Sequence, residues 1–280
     1  MLLIDERNKK KASNEIEKIQ YDEKMDIKKN RHYIVSKSNQ IIQNARYNLS
    51  LQEQKVLAYI ISLVKPGDKK GKTYEFDVAA YCKTVGIERS GNIYKQLKDT
   101  LKGLRDKSIW VRQENGTERT VGWLSKVSTT ENPNVLEIVY DEDMSEFLLE
   151  LNENFTKYEL IYFINMESMY STRLYELLKS YSWTKLHLFE VEDLKKQLNA
   201  EKYKTFGDFK RNVLDKAIKE INVFTDIEIS YKFIKKGNKI IQIEFEIKEK
   251  GAIEAYKASK IAENRIDGQL SIEDFNIFEC

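Results

Sequence analysis

The sequence predicts an α+β fold of two tandem winged-helix domains related by an internal repeat. The order strand, short helix, loop, long amphipathic helix and strand occurs twice, over residues 74–111 and residues 187–229. Phe76 corresponds to Phe189 at an offset of 113, and Leu97 corresponds to Leu214 at an offset of 117, so the second copy has about four extra residues before its long helix. Two helices followed by a β-hairpin form a winged helix, whose second helix enters the DNA major groove.

The composition indicates a water-soluble globular protein with room for two cores. The chain has 280 residues, of which 41% are hydrophobic and 33% are charged, and this length accommodates two ordinary domains. No apolar run approaches the roughly 18 to 20 residues of a membrane span. The apolar start, residues 1–4, is too short for a signal-peptide core. We therefore expect a cytoplasmic protein without a membrane partner.

Cysteine and histidine usage argues against metal and disulfide chemistry. Two cysteines, Cys82 and Cys280, and two histidines, His32 and His187, are too few and too scattered for a disulfide framework or a zinc site. The net charge of +2 is small, so a nucleic-acid surface has to come from segregated charge. Such segregation is present, because residues 195–211 carry six basic and two acidic residues, whereas residues 263–280 carry one basic and five acidic residues.

The first half predicts a charged, flexible arm over residues 1–30 and a winged helix over residues 31–140. Ser50 and Glu53 form a capping box at the start of a helix that ends at Pro66-Gly67. A strand at 73–78, a short helix at 79–85 and a long helix capped by Ser90 or Asn92 follow. Strands at 109–112 and 120–124 pair through an Asn115-Gly116 turn as the first wing, and a third strand covers 135–140.

The second half, residues 141–250, predicts the same layout. Helices are expected at about 145–151, 168–181, 190–198 and 205–221, the last with Thr205 and Asp208 as a capping box. Residues 226–234 and 240–248 alternate as two strands of the second wing, and the turn between them carries three lysines. Residues 251–280 are expected to form an acidic C-terminal tail.

No catalytic constellation is found in the sequence. The segment 67–73 resembles a phosphate loop, but it has three residues between its glycines instead of four and lies between a helix and a strand in the wrong order. An origin nickase would need two metal-binding histidines near each other, whereas His32 and His187 are far apart in the sequence. We therefore expect neither an enzyme nor a cofactor.

Basic and polar residues on the two long helices and on the second wing are the candidate DNA contacts. They occupy the half of each helix that a recognition helix presents to base edges, or a wing tip suited to phosphates. The alternative is an ordinary solvated helix face. The candidates are Asn92, Lys95 and Lys98 in the first domain, and Lys204, Thr205, Lys210, Arg211, Lys235, Lys236 and Lys239 in the second.

The tail contains a second, weaker candidate site. Residues 269–275, QLSIEDF, resemble the short peptides that dock on bacterial sliding clamps, although the aromatic residue lies farther from the aliphatic one than is usual. The residues concerned are Gln269, Leu270, Ile272 and Phe275. A disordered acidic tail with incidental apolar residues is the alternative.

Three stretches together resemble the iteron-type plasmid replication initiator family. They are YIVSKSNQIIQNAR at 33–46 followed by LQEQKVL at 51–57, then SMYSTRLYELLK at 168–179, then FGDFKRNVL at 206–214 with Ala217 and residues 220–222. The similarity spans about residues 31 to 248, and its motifs follow the family's order.

The resemblance implies two winged-helix domains that bind repeated origin sites (iterons) in double-stranded DNA and help to melt adjacent AT-rich DNA. It also implies a monomer that initiates replication and a homodimer, formed mainly through the first domain, that represses its own promoter. The host initiator and the replicative helicase are the implied partners, and the second domain is the main reader of DNA. A winged-helix transcriptional repressor that binds an inverted repeat remains the alternative.

Overall fold

The structure is a computed structural model that describes residues 29–46, 48–113, 115–149, 151 and 153–268. The first half contains β1 (Ile34–Ser38), α1 (Asn39–Asn44), β2 (Ala45–Arg46), α2 (Leu51–Ser62), β3 (Thr73–Asp77), α3 (Val78–Val85), α4 (Gly91–Asp106), β4 (Ser108–Arg112), β5 (Glu118–Gly122), β6 (Leu124–Thr129) and β7 (Val135–Tyr140).

The second half begins with α5 (Glu142–Leu148), β8 (Phe155–Glu159), α6 (Leu160–Ile164), α7 (Met169–Lys179), β9 (Leu186–Glu190) and α8 (Val191–Gln197). Helix α9 follows in three consecutive stretches, which are Phe206–Phe209, a π turn at Lys210–Leu214, and Asp215–Phe224. The remaining elements are β10 (Ile227–Lys236), β11 (Lys239–Glu249) and α10 (Ala252–Ile266).

The helix starts follow the capping residues of the sequence. The Ser50 hydroxyl accepts a hydrogen bond from the backbone N–H of Glu53, and the Glu53 carboxylate accepts one from the backbone N–H of Ser50, which completes the predicted box. Ser90, rather than Asn92, caps α4. The Thr205 hydroxyl accepts the backbone N–H of Asp208 at 3.0 Å. These bonds satisfy backbone donors that the first turn of a helix leaves unpaired.

The two winged helices share one topology. The first consists of α2, β3, α3, α4, β6 and β7, and the second consists of α7, β9, α8, α9, β10 and β11. Their sheets have the orders β3-β7-β6 and β9-β11-β10, so the strand before the helix pair lies beside the last strand in each. Phe76 pairs with Leu136 and Phe189 pairs with Ile243, and both phenylalanines are buried. The predicted internal repeat is therefore confirmed.

The position of the extra residues in the second copy differs from the expectation. The helix caps Ser90 and Thr205 are 115 residues apart, whereas the core residues Leu97 and Leu214 are 117 apart. Two of the four extra residues thus lie before α9 and two lie inside it. The helix contains a π turn at Lys210–Leu214, which follows the cap and ends at the core residue Leu214, and such wider turns occur frequently at functional sites.

The predicted hairpin of residues 109–112 and 120–124 is present, but its assignment as the first wing is wrong. Strands β4 and β5 do pair as a hairpin, but they form a separate sheet in the order β2-β4-β5. The counterpart of the second wing is the hairpin β6-β7, in which Val127 pairs with Ile138. Strand β6 escaped the sequence analysis because Ser125, Lys126 and Ser128 break the apolar alternation that identifies a strand.

Strand pairing also joins distant parts of the chain. Strand β1 pairs with β8, with Val35 opposite Tyr158, so one sheet crosses the domain boundary that the sequence predicts after residue 140. Lys37 of β1 forms a buried ion pair with Glu176 of α7 at 2.5 Å. The two winged helices are therefore packed against each other through β1, β8 and α7.

The expected tail beginning at residue 251 is wrong for residues 252–266, which form the helix α10. Ala258 and Ala262 of α10 are buried, and α10 packs against α6 and α9. Small apolar residues four apart place one face of the helix against the core. Residues 269–280 of the tail lie outside the described residues, and these include Gln269, Leu270, Ile272 and Phe275. Residues 1–28 of the arm also lie outside them. Among the described helices, none is long and apolar enough to cross a membrane.

Candidate nucleic-acid interface

Helix α9 presents one apolar and one polar face. Val213, Leu214, Ala217, Ile218 and Ile221 face the core of the second winged helix. The opposite side exposes Thr205, Arg211, Asp215, Lys216 and Lys219. An exposed polar face on the second helix of a winged helix is the geometry of a DNA-reading helix.

The second wing is a long hairpin with a basic tip. Gly237 and Asn238 form the two-residue turn between β10 and β11, and Gly237 has a φ of 61°. A positive φ at the first of two turn residues is typical of the type II′ hairpin turn, which favours glycine there. Lys235, Lys236 and Lys239 are exposed around this turn, so the tip carries three positive charges in the position from which a wing touches phosphates.

Aromatic contacts connect the wing to the start of α9. The ring of Phe206, next to the cap Thr205, meets the ring of Phe233 on β10 edge to face at 4.9 Å between centroids. Such pairs contribute about 0.5 to 1.5 kcal/mol beyond the burial of their area. The helix start and the wing are therefore held as one surface. We call this the α9–wing surface and define it by Lys204, Thr205, Lys210, Arg211, Lys216, Lys219, Lys235, Lys236 and Lys239.

Two of the basic residues of the α9–wing surface are paired with acids of the same helix. The Arg211 guanidinium lies 2.7 Å from Asp208, and the Lys210 amine lies 2.8 Å from Asp215. The hydrogen bond from Lys210 to Asp215 raises the pKa of the lysine. Both pairs are exposed, and exposed ion pairs are worth about 0 to 1 kcal/mol. A phosphate or a base edge can therefore displace them at little cost.

The first winged helix offers a different surface. Asn92, Lys95 and Lys98 are all exposed on α4, as a DNA-reading role requires. The β6-β7 turn, residues 130–134, contains Glu131 and no basic residue. The predicted residues are thus divided between two surfaces, of which only the α9–wing surface combines a basic helix face with a basic wing.

Lys216 and Lys219 were missed by the sequence analysis. They lie on the exposed side of α9, beyond the N-terminal half of the helix to which the predicted contacts belong. Lys216 follows Asn212 by four residues, and Lys219 follows Arg211 by eight. This helical spacing would have placed them on the same face as those two residues. Within the described residues, no group of three or more His, Cys, Asp and Glu side chains is placed to hold a metal ion.

Comparison with known proteins finds two successive winged-helix family models along the chain. The family model described as initiator replication protein, WH1, matches residues 34–179, and the model described as initiator Rep protein, WH2, matches residues 190–247. An uncharacterised 27.6 kDa protein of Escherichia coli is 25% identical over 236 residues, which cover 78% of this chain and 97% of that protein.

A solved structure shares the tandem arrangement. The Pi initiator protein, crystallised in complex with iteron DNA, superposes with a TM-score of 0.65 at 22% identity, over 78% of this chain and 97% of that one. At this identity the likeness shows the fold, which is two tandem winged helices. Because the two family models together match well over half of the chain, the protein belongs to the family of replication initiators with WH1 and WH2 domains.

Proposed function

We propose that this protein is a plasmid replication initiator that binds repeated sites (iterons) in double-stranded origin DNA. The observation that carries the proposal is the α9–wing surface, where an exposed helix face and a lysine-rich wing tip are held together by Phe206 and Phe233. Lysine contacts to phosphates supply affinity, and an arginine on the helix supplies base discrimination. The family membership and the likeness to an initiator crystallised on iteron DNA support this proposal.

The division of labour between the two winged helices is part of the proposal. The second contributes the main DNA contacts through Lys204, Thr205, Lys210, Arg211 and the wing lysines. The first adds contacts through Asn92, Lys95 and Lys98 and supports a homodimer in equilibrium with the monomer. The monomer promotes melting of an adjacent AT-rich tract and loading of the replisome with the host initiator and replicative helicase, and the dimer represses its own promoter.

Selection of DNA from the protein's own replicon or from a random pool tests the proposal. We expect direct repeats of roughly two helical turns beside an AT-rich tract, and permanganate reactivity in that tract when the protein is bound. A single inverted repeat at a promoter, without permanganate reactivity, would instead identify a transcriptional repressor. Absence of any sequence preference would exclude both functions.

A further inference from the structure

Helix α10 follows the second winged helix and returns to the first. It begins three residues after β11 ends and lies beyond residue 247, where the matching family model stops. Its C-terminal half carries residues that contact both winged helices.

On the side of the second winged helix, the anchor of α10 is Arg265. Its guanidinium carbon lies 4.7 Å from the centre of the Phe224 ring, at the C-terminal end of α9. The same side chain donates a hydrogen bond to the backbone carbonyl of Asn165 at 2.9 Å and forms an ion pair with Glu167. Only 11% of the Arg265 side chain is exposed. A largely buried charge is costly to separate from its partners, so Arg265 connects α10 to Phe224 of α9 and to residues 165–167.

On the side of the first winged helix, the end of α10 touches the end of α3. Gly86 terminates α3 with a φ of 74°, and a Cβ at this glycine would lie 2.5 Å from the backbone oxygen of Ile266. The backbones therefore approach each other more closely than any other residue type would permit. A glycine is required here by the helix end and by α10 together.

Residues 31 and 32 connect the two ends of the described chain. The buried Arg31 donates to the carbonyl of Thr84 at 3.1 Å and forms an ion pair with Asp267 at 2.8 Å. His32 lies between two carboxylates, with Nδ1 2.5 Å from Glu159 and Nε2 2.9 Å from Glu263 of α10. Arg31 and His32 thus reach the C-terminal end of α10 through two contacts, with Asp267 and Glu263. They connect it to Thr84 of α3 and to Glu159 of β8.

We propose that α10, together with Arg31 and His32, forms a latch that holds the two winged helices in one relative orientation. A protein that places two helices in the major groove of one duplex has to match their separation to the helical repeat of about 34 Å. The latch positions α4 relative to α9 and so determines which spacing of DNA contacts the chain can bind. This last consequence rests on the proposed DNA-binding function, whereas the latch itself does not.

The test uses distances between spin labels in the full-length protein without DNA. Labels are attached to cysteines introduced at Glu131 in the first winged helix and Glu246 in the second, both of which are exposed. Cys280 is replaced by serine, and the buried Cys82 is retained. Dilution with unlabelled protein removes distances between copies. The labelled parent protein is expected to have one narrow distance distribution.

Gly86→Ala is the decisive variant, because its Cβ clashes with Ile266. Gly71→Ala is its matched control: Gly71 has nearly the same φ, 77°, but no atom lies within 4 Å of an added Cβ. We expect a broader or shifted distance distribution for Gly86→Ala and an unchanged one for Gly71→Ala. Identical distributions for the two variants would overturn the latch.

A second pair of variants keeps the test decisive if Gly86→Ala fails to fold. Arg265→Ala removes the anchor at Phe224, and Lys257→Ala removes a positive charge from the exposed face of the same helix. The latch predicts broadening for Arg265→Ala alone. Equal distributions for these two variants would refute the proposal, whatever the protein binds. If they differ, the spacing of direct repeats bound by Arg265→Ala should be less strictly defined than that bound by the parent protein.

Discussion

The hydroxyl of Tyr231 on β10 donates a hydrogen bond to Asp215 on α9 at 2.7 Å. The same carboxylate accepts a hydrogen bond from the Lys210 amine at 2.8 Å. Burial raises the pKa of Asp215, but these two hydrogen bonds outweigh it and hold the pKa below its ordinary value. One carboxylate therefore connects the wing strand to the π turn that carries Lys210.

Tyr231→Phe should loosen this connection. Removing one hydroxyl from a hydrogen bond to a partly exposed carboxylate should lower the free energy of unfolding by about 0.5 to 1.5 kcal/mol, measured by urea denaturation. Tyr256→Phe is the control, because the Tyr256 side chain is 63% exposed. An equal effect of both substitutions would contradict a specific role for the Tyr231 hydroxyl.

Arg211→Ala should weaken discrimination between DNA sequences. If Arg211 reads a base, the loss for the preferred sequence is about 1 to 3 kcal/mol, with a smaller loss for other sequences. Competition binding against a panel of single-base variants measures this difference. Lys248→Ala is the control, because it removes a positive charge from an exposed position on β11 outside the α9–wing surface. Parental discrimination in Arg211→Ala would rule out base reading by this residue.

Lys236→Ala should weaken binding to all sequences alike. We propose that Lys236 at the wing tip contacts phosphate, and loss of one such contact should reduce the slope of log affinity against log salt by about 0.9. Titrations at several salt concentrations give the slope. Lys157→Ala, at an exposed position on β8, should leave it unchanged. A sequence-dependent loss for Lys236→Ala would instead assign this residue to base contact.

Lys37→Met should destabilise the junction between β1 and α7. The Lys37 and Glu176 side chains are 4% and 1% exposed, and their charged atoms are 2.5 Å apart. Removing Lys37 takes the ion-pair partner from the buried Glu176 carboxylate and leaves it the Tyr158 hydroxyl and the attraction of Arg173. Removing one partner of a buried pair costs about 3 to 5 kcal/mol when nothing else compensates the charge, so we expect a loss below that. Urea denaturation should show a smaller loss in the double variant Lys37→Met with Glu176→Gln. A double variant less stable than Lys37→Met would argue against this account.

His32 should make the stability of the protein dependent on pH. The hydrogen bond with Glu159, opposed by burial and aided by Glu263, raises the pKa of His32 above 6.5. Lys260, which pairs with Glu263, also faces this cluster. Because the folded-state pKa is raised, the contribution of His32 is fully present below 6.5 and is lost as the pH rises through the folded-state pKa.

Urea denaturation over a pH series compares the parent protein with His32→Gln. The stability difference between them should shrink with rising pH. His187 provides the opposite case, because burial lowers its pKa below 6.5. The contribution of His187 is therefore present above 6.5 and lost as the pH falls, so His187→Gln should show the reverse trend. Parallel curves for His32→Gln and the parent protein would contradict the prediction.

The sequence by itself determined the features that depend on neighbouring residues. The caps Ser50, Ser90 and Thr205 and the buried spacing of Leu97, Leu101 and Leu104 located the helices. The alternation in β10 and β11 located the second wing. These signals are local, because a helix turn or a two-residue hairpin forms between residues that are close in the chain.

Only the tertiary structure decided the features that join distant residues. The pairing of β1 with β8, the separation of the β4-β5 hairpin from the true first wing, and the packing of α10 are examples. The contact of Gly86 with Ile266 joins positions 180 residues apart, and no local pattern records such a contact. Packing also determined the surroundings of a candidate DNA residue. Asp215, the partner of Lys210, accepts a hydrogen bond from Tyr231 only once β10 lies against α9.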